Sequence, residues 1–107
     1  MSKEDKYLFS LLKARALEVM PRGVRVFLYG SKARGDGGVD SDWDILILVN
    51  KPRAEMSDFD VLSFPLTELG WEHGAAVIPI IFGEEEWNHE SSLLFRKSVE
   101  QDAIALV

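Results

Sequence analysis

The sequence contains no cysteine among its 107 residues. Disulfide bonds and thiolate metal sites are therefore excluded, and the composition suits a reducing compartment, so we expect a cytoplasmic protein. No apolar stretch approaches the roughly 18 residues of a membrane-spanning helix, and the charged, amphipathic N-terminal segment lacks the pattern of a signal peptide. We therefore expect no association with a membrane.

Positive charge is scarce as well. The chain has 12 Lys and Arg against 18 Asp and Glu, a net charge of −6, and no basic run is longer than a pair. Proteins that hold the backbone of DNA or RNA normally carry a positive stripe. We therefore do not expect a nucleic-acid polymer as partner.

The chain has few breaks in its hydrophobic pattern, and we expect one domain over residues 1–107 with one core. Apolar spacing predicts the order helix, strand, short helix, strand, helix, strand, helix. The first helix is expected to begin at Ser2 and to end before Pro21, and the last helix to end near Asp102. The second long helix is expected to be kinked or split at Pro65, and its apolar stripe consists of Met56, Phe59, Leu62, Leu66 and Leu69.

The most informative segment joins two predicted strands. Residues 24–29 alternate with a period of two and lead directly into the run Gly30–Gly35, after which Ser41-Asp42-Trp43-Asp44 opens an apolar strand. Asp42 and Asp44 stand at i and i+2, so their side chains share one face of that strand, with Cα atoms roughly 6.5 to 7 Å apart. Two carboxylates in this arrangement can converge on one or two hard cations such as Mg²⁺.

The preceding loop has the groups that bind phosphate. Gly30 lets a phosphate approach the backbone without a Cβ in the way, the following N–H groups can form an anion-binding nest, and Ser31 offers a hydroxyl. Arg34 adds a planar cation that suits phosphate geometry. Together with the two aspartates, these residues predict a phosphate site facing a metal site.

Two other phosphate and metal motifs do not fit the same residues. Gly30 and Gly35 have the glycine spacing of a P-loop, but Asp36-Gly37 stands where Lys and Ser or Thr are required. The aspartates also imitate the start of an EF-hand, yet Ile45 replaces its turn glycine and Lys51 its closing glutamate. Both motifs are excluded.

The pattern resembles the nucleotidyltransferase superfamily related to the DNA polymerase β palm, and in particular its small MNT-type domains. In that family a strand ends in Gly-Ser, Ala-Arg-Gly follows, and Ser-Asp-x-Asp opens the next strand. Here the pattern is present as residues 29–35 and 41–46. The resemblance implies an α/β (α+β) fold, with a small mixed sheet of at least three strands flanked by helices mainly on one side.

The resemblance also implies roles for individual residues. Asp42 and Asp44 would be catalytic and would bind Mg²⁺, with two ions possible. A second set would bind the nucleotide and support its loop: Gly30, Ser31, Arg34 and Ser41. The substrate would be an NTP, with ATP the first choice.

One family feature is missing. A third carboxylate normally lies on the next core strand, where it helps to activate the acceptor hydroxyl, but residues 75–82 contain no acid. Our alignment places Pro79 at this position. Two hypotheses follow: an Mg²⁺-dependent nucleotidyltransferase with an incomplete triad, or a catalytically inactive nucleotide-binding or partner-binding module.

The resemblance further implies what the acceptor and partners could be. MNT domains often act as antitoxins that adenylylate separately encoded HEPN-type helical proteins, so a protein acceptor is expected. A small-molecule acceptor, as in the aminoglycoside nucleotidyltransferases, stays an alternative, and the partner could instead be a second copy of the chain.

The remaining polar and aromatic residues are assigned structural roles. Glu84–Glu86 are expected in the first turn of a helix, where acids oppose the helix dipole favourably, and His73 and His89 on the surface. The tryptophans are expected to pack: Trp43 under a helix on the face opposite the aspartates, and Trp71 and Trp87 in the core or in a subunit contact.

Overall fold

The computed structural model describes residues 1–107 and contains one four-stranded mixed sheet with the strand order β3-β2-β1-β4. Strand β1 is antiparallel to β2 and β4, whereas β2 and β3 are parallel. The elements are, in chain order, α1 (Lys3–Val19), β1 (Arg25–Tyr29), α2 (Gly30–Arg34), β2 (Trp43–Leu48), α3 (Met56–Asp58), a π-helical turn (Phe59–Ser63), α4 (Phe64–Glu72), β3 (Val77–Phe82), α5 (Glu84–Asn88), a 3₁₀ turn (Glu90–Ser92), α6 (Leu93–Asp102) and β4 (Ile104–Ala105).

The predicted α/β fold and element order are confirmed, and the sequence pattern missed only short elements. Ser2 caps α1 by accepting a hydrogen bond from the Asp5 N–H at 3.1 Å, as its position predicted. Strand β4 pairs only Ile104 and Ala105 with β1, which is too short a segment for a period of two to be recognised.

The core lies between the sheet and the two helices α1 and α4. Alternate residues of β1 and β2 point into it, among them Val26, Ile45 and Trp43, and all three are almost completely buried. The prediction that Trp43 packs beneath a helix is therefore confirmed. Because side chains alternate along a strand, Asp44 lies on the opposite face of the sheet.

The second long helix departs from the prediction. The apolar residues Met56 and Phe59, assigned to its buried stripe, are exposed. The cause is the π-helical turn, in which an N–H donates to the carbonyl five residues earlier instead of four. The extra residue rotates the preceding residues relative to α4. The segment changes from π-helical to α-helical geometry just before Pro65, which lies in the first turn of α4, where a proline is tolerated.

Helix α6 packs against the other face of the sheet, beside β1. Phe95 contacts Tyr29 with ring centroids 5.6 Å apart, and it also contacts Phe82 and Trp87. Trp87 therefore belongs to an aromatic cluster on this face. The part of the face that carries Asp44 is left open by α6.

None of the helices is both long enough and apolar enough to cross a membrane.

Candidate nucleotide and metal site

The two aspartates stand at the start of β2, near the centre of the sheet. Asp44 is paired with Tyr29 on β1 and with Ile78 on β3, so strands flank it on both sides. Asp42 is exposed and lies just before the strand. Trp43 between them points into the core, so both carboxylates lie on the open face.

The aspartates form an acid pair that no Lys or Arg side chain meets in an ion pair. Burial raises the pKa of Asp44, the negative charge of Asp42 raises it further, and the positive charge of Arg34 opposes both effects. Neither carboxylate makes a hydrogen bond or an ion pair within the chain. A hard divalent cation would supply the missing positive charge, and carboxylate oxygens are the ligands that Mg²⁺ prefers. The residues therefore fit a metal, although no group of three His, Asp or Glu side chains is gathered at any place in the chain.

Gly30 brings the loop into contact with the acid pair. Its φ of +78° belongs to the left-handed region, which glycine adopts without steric cost. A Cβ at this position would lie 2.5 Å from Oδ2 of Asp44. The turn from β1 into α2 thus requires glycine for its backbone angle and again for the space that Asp44 fills.

Ser31 and Ser41 come together around Gly37. The Ser31 carbonyl accepts hydrogen bonds from the N–H groups of Gly35, Asp36 and Gly37, at 3.0, 3.2 and 3.2 Å. A Cβ on Gly37 would lie 2.9 Å from the Ser31 hydroxyl oxygen and 3.2 Å from that of Ser41. Gly37 therefore leaves room for both hydroxyls, a role that sequence reasoning did not identify although the Asp-Gly-Gly run marked a turn.

Arg34 is held in place by two acids. Its Nε donates to Asp36 at 3.1 Å, and its Nη1 donates to Asp102 at the end of α6 at 2.9 Å. The hydrogen bonds to Asp36 and Asp102 raise the pKa of the guanidinium. Because Arg34 also lowers the pKa of Asp44, its charge acts at the acid pair while its side chain is anchored to α6.

Tyr29 is a neighbour of the site that the sequence did not indicate. Burial and the adjacent Asp44 raise the pKa of its phenol to about 12. The phenol therefore stays protonated at neutral pH and cannot act as a base there. Its ring supports the site through contact with Phe95.

Lys32 anchors the loop of residues 35–42 from behind. Only 2% of the residue is exposed, and its ammonium donates to both Asp5 carboxylate oxygens at 3.0 and 3.2 Å and to the Gly38 carbonyl at 2.9 Å. It also lies 5.2 Å from the ring centroid of Trp43. A buried cation with these partners ties the loop to α1 and to the strand that carries the aspartates.

Lys32→Met should loosen the loop without unfolding the chain. The substitution leaves the Gly38 carbonyl and the partly exposed Asp5 without their partner, which costs roughly 1 to 3 kcal/mol of stability. Hydrogen exchange of residues 35–42 should quicken more than exchange in β1. Lys13→Met, at an exposed position of the same helix as Asp5, is the matched control. Equal exchange in both variants would show that Lys32 does not hold the loop.

A cavity of about 530 Å³ lies behind the same loop, and Asp5, Lys32 and Gly38 are among the residues that line it. Neither Asp42 nor Asp44 lines this cavity. The acid pair opens directly on the sheet face instead.

The sheet register corrects the position assigned to the missing third carboxylate. Pro79 is paired with Ile45, which is completely buried in the core, so both side chains lie on the core side of the sheet. Ile78 is paired with Asp44 and is 44% exposed on the open face. The prediction for Pro79 is wrong because the alignment slipped by one residue, which reverses the face of every side chain in a strand. Ile78 is the residue that faces the acid pair.

The other polar residues have the structural roles that were predicted. Glu84–Glu86 form the first turn of α5, and Glu86 accepts hydrogen bonds from the N–H groups of Ala54 at 2.8 Å and Gly83 at 2.9 Å. These two hydrogen bonds lower the pKa of Glu86. His73 and His89 are on the surface.

Comparison with known proteins agrees with this geometry. Residues 11–105 match the family described as "Nucleotidyltransferase domain". A curated relative from Methanocaldococcus jannaschii, named "Putative protein adenylyltransferase", is 29% identical over 103 residues, which are 96% of this chain and 97% of the relative.

Two solved structures share the fold. A crystal structure of a "putative nucleotidyltransferase" from Sulfolobus solfataricus superposes with a TM-score of 0.62 at 22% identity, covering 96% of this chain and 82% of the other. A crystal structure of a "toxin-antitoxin with AMP-PNP" gives a TM-score of 0.61 at 18% identity, covering 99% and 73%. The matched residues include both segments of the nucleotidyltransferase pattern, residues 29–35 and 41–46, together with the four strands and α6. The chain belongs to the nucleotidyltransferase domain family.

Proposed function

We propose that this chain transfers a nucleoside monophosphate from an NTP, with ATP as the first choice, to a hydroxyl group of a partner protein in the cytoplasm. The observation that carries the proposal is the acid pair packed against the glycine turn. Asp44 fills the space that a Cβ on Gly30 would need, and it shares its face with Asp42, while neither aspartate forms an ion pair. Phosphate oxygens and carboxylates can share a cation in this arrangement.

Each predicted site residue has a place in this proposal. Asp42 and Asp44 would hold Mg²⁺, which when bound draws the triphosphate to the carboxylates and offsets the charge that develops on the leaving group. The hydroxyls of Ser31 and Ser41 and the first N–H groups of α2 would donate to phosphate oxygens. Arg34, anchored to Asp102, would add positive charge at the same place.

The transfer step must also account for the proton of the acceptor hydroxyl. The acceptor oxygen forms a bond to the α-phosphorus, and the bond from that phosphorus to the oxygen bridging to the β-phosphate breaks. The electron pair leaves with pyrophosphate. The hydroxyl proton needs a base, and Ile78 faces the acid pair on β3 where a carboxylate could have served. We therefore infer that the proton leaves to water or to a group of the partner protein.

The protein nature of the acceptor is supported by two comparisons. The relative from Methanocaldococcus jannaschii is named as a protein adenylyltransferase, and one structural neighbour is a toxin–antitoxin assembly solved with AMP-PNP. A helical HEPN-type protein is the partner that the resemblance to MNT domains implies.

Ile78 also favours the second candidate, a catalytically inactive module that binds nucleotide or partner. Its apolar side chain can neither bind a metal nor accept a proton. The two candidates differ in covalent transfer but share nucleotide binding.

Labelled ATP separates the two candidates. The chain is incubated with Mg²⁺ and with a candidate helical HEPN-type protein, using ATP labelled at either the α- or the γ-phosphate. We expect label from α-labelled ATP on the partner only when both proteins and Mg²⁺ are present, and none from γ-labelled ATP. Label from the γ-phosphate would indicate a kinase. Nucleotide binding without transfer from either position would favour the inactive module.

A further inference from the structure

A ridge of exposed apolar side chains runs along the outer side of α3, the π-helical turn and α4. We define the ridge by Met56, Phe59, Phe64 and Trp71. Phe64 and Trp71 are 48% and 64% exposed, and their rings are in edge-to-face contact with centroids 6.0 Å apart. Isolated exposed apolar residues are common, but an aligned set with large aromatic side chains marks a binding surface.

The π-helical turn produces the alignment. The Phe64 N–H donates to the Phe59 carbonyl, five residues earlier, so Phe59 lies one wide turn before Phe64. Trp71 follows Phe64 by seven residues, or two ordinary turns. The inner side of the same segment packs in the core, where Leu62 and Leu66 are buried. The ridge is therefore a second apolar face that no part of the chain covers.

The charged residues of the segment that carries the ridge are all acidic. From residue 54 to residue 95 the chain has no Lys or Arg but nine Asp and Glu residues. Beside the ridge Asp60, Glu68 and Glu72 take part in none of the ion pairs. Two basic side chains from elsewhere in the chain contact residues 56–72. Arg15 of α1 donates to the Pro65 carbonyl at 3.2 Å, and Lys51 pairs with Asp58 at 3.0 Å. The surface is thus both apolar and negatively charged.

One end of the ridge lies at the same end of the sheet as the acid pair. Helix α4 leads into β3, and the Trp43 N–H donates to the Ala76 carbonyl at 2.8 Å just before β3 begins. Because β2 and β3 are parallel, both start at this end. The Trp71 end of the ridge and the acid pair therefore lie at the same end of the sheet, on opposite faces of it.

We propose that the ridge binds a partner protein through a surface on which apolar side chains are flanked by Lys and Arg. A second copy of this chain is a poor fit, because pairing two ridges would bring two acidic borders together, each with Asp60, Glu68 and Glu72. Binding itself requires no nucleotide chemistry. Only the idea that the bound protein is the acceptor rests on the proposed function.

Two synthetic helical peptides provide the probe. They have the same length and the same apolar face, but one carries Lys and the other Glu on its polar face. We expect the Lys peptide to shift backbone amide resonances of residues 56–72 of the ¹⁵N-labelled chain, and the Glu peptide to bind at least tenfold more weakly. Added salt should weaken binding of the Lys peptide, because exposed charges are screened.

Variants locate the binding surface. The double variant Phe64→Ser, Trp71→Ser should weaken binding of the Lys peptide at least tenfold, and Glu68→Lys should weaken it without removing an apolar group. Leu94→Ser is the matched control, since Leu94 is 83% exposed on α6, away from the ridge. All of these positions are exposed, so circular dichroism should show an unchanged fold. If the double variant does not fold, Glu68→Lys alone tests the binding surface.

Three outcomes would overturn the proposal. The Lys peptide could shift resonances only at Glu84–Glu86, or both peptides could bind with equal affinity. Sedimentation could also show a dimer of the parent chain that the Phe64→Ser, Trp71→Ser variant does not form. Failure of the proposed function can be distinguished from failure of the ridge proposal. Peptide binding on the ridge without nucleotide transfer would remove the proposed function and leave the ridge. Undiminished labelling of the partner by the Phe64→Ser, Trp71→Ser variant would show that the ridge does not hold the acceptor, and would leave the function.

Discussion

Asp44→Asn is expected to abolish the Mg²⁺-dependent part of nucleotide binding. The substitution keeps the size of the side chain but removes one of the two charges that would hold the cation between chain and triphosphate. Calorimetric titration with ATP should show tighter binding with Mg²⁺ than with EDTA for the parent chain and no difference for the variant. Asp40→Asn, an exposed aspartate in the same loop, is the matched control and should behave like the parent. Equal affinity of the parent with and without Mg²⁺ would contradict the two-carboxylate site.

The same variant should not destabilise the metal-free chain. The pKa of Asp44 is raised in the folded state above its ordinary value of 3.8, so the folded state binds this proton more tightly than the unfolded state. Without metal, the contribution of Asp44 to stability should therefore be lost as the pH rises from about that value through the raised pKa. Urea unfolding of the parent and of Asp44→Asn at several pH values measures this contribution, because other carboxyl groups titrate alike in both proteins. The stability of the parent relative to the variant should fall over this window, and a pH-independent difference would contradict the raised pKa.

The sequence was sufficient to predict those parts of the site whose residues lie close together along the chain. The turn at Gly30 and the spacing of Asp42 and Asp44 are local features, and a period of two places both carboxylates on one face. Lys32 could not be recognised in this way. Its role depends on Asp5, 27 positions earlier in the chain, and on burial beneath a loop whose path the sequence does not specify.

The errors have physical causes of the same kind. Pro79 was placed wrongly because the pairing of β3 with β2 is a long-range property, and a slip of one residue is invisible within an apolar strand. Met56 and Phe59 were assigned to a buried stripe because a uniform helical period was assumed. The π-helical turn changes that period, and its hydrogen bonds leave no recognisable mark in the sequence.

Ile78→Asp should convert the acid pair into a set of three carboxylates. Ile78 and Asp44 are paired across β3 and β2, so their backbones are separated by roughly 4.8 Å and their side chains share the open face. A carboxylate there could take the proton of the acceptor hydroxyl, and a general base contributes roughly 10²- to 10⁴-fold to such a step. We expect transfer to the partner to rise by about 10²-fold or more, measured as the initial rate of labelling from α-labelled ATP.

Ile78→Asn and Pro79→Asp separate the possible causes of such a gain. Ile78→Asn introduces a polar side chain of the same size without a basic carboxylate, so it should leave the rate unchanged. Pro79→Asp places its charge on the core side beside Ile45, where an unpaired carboxylate should cost several kcal/mol of stability and give no gain. An equal gain from Ile78→Asn would exclude proton transfer as the cause. If Ile78→Asp folds and binds Mg²⁺ and ATP without labelling the partner, the missing carboxylate is not what limits transfer, and the inactive binding module becomes the better account of this chain.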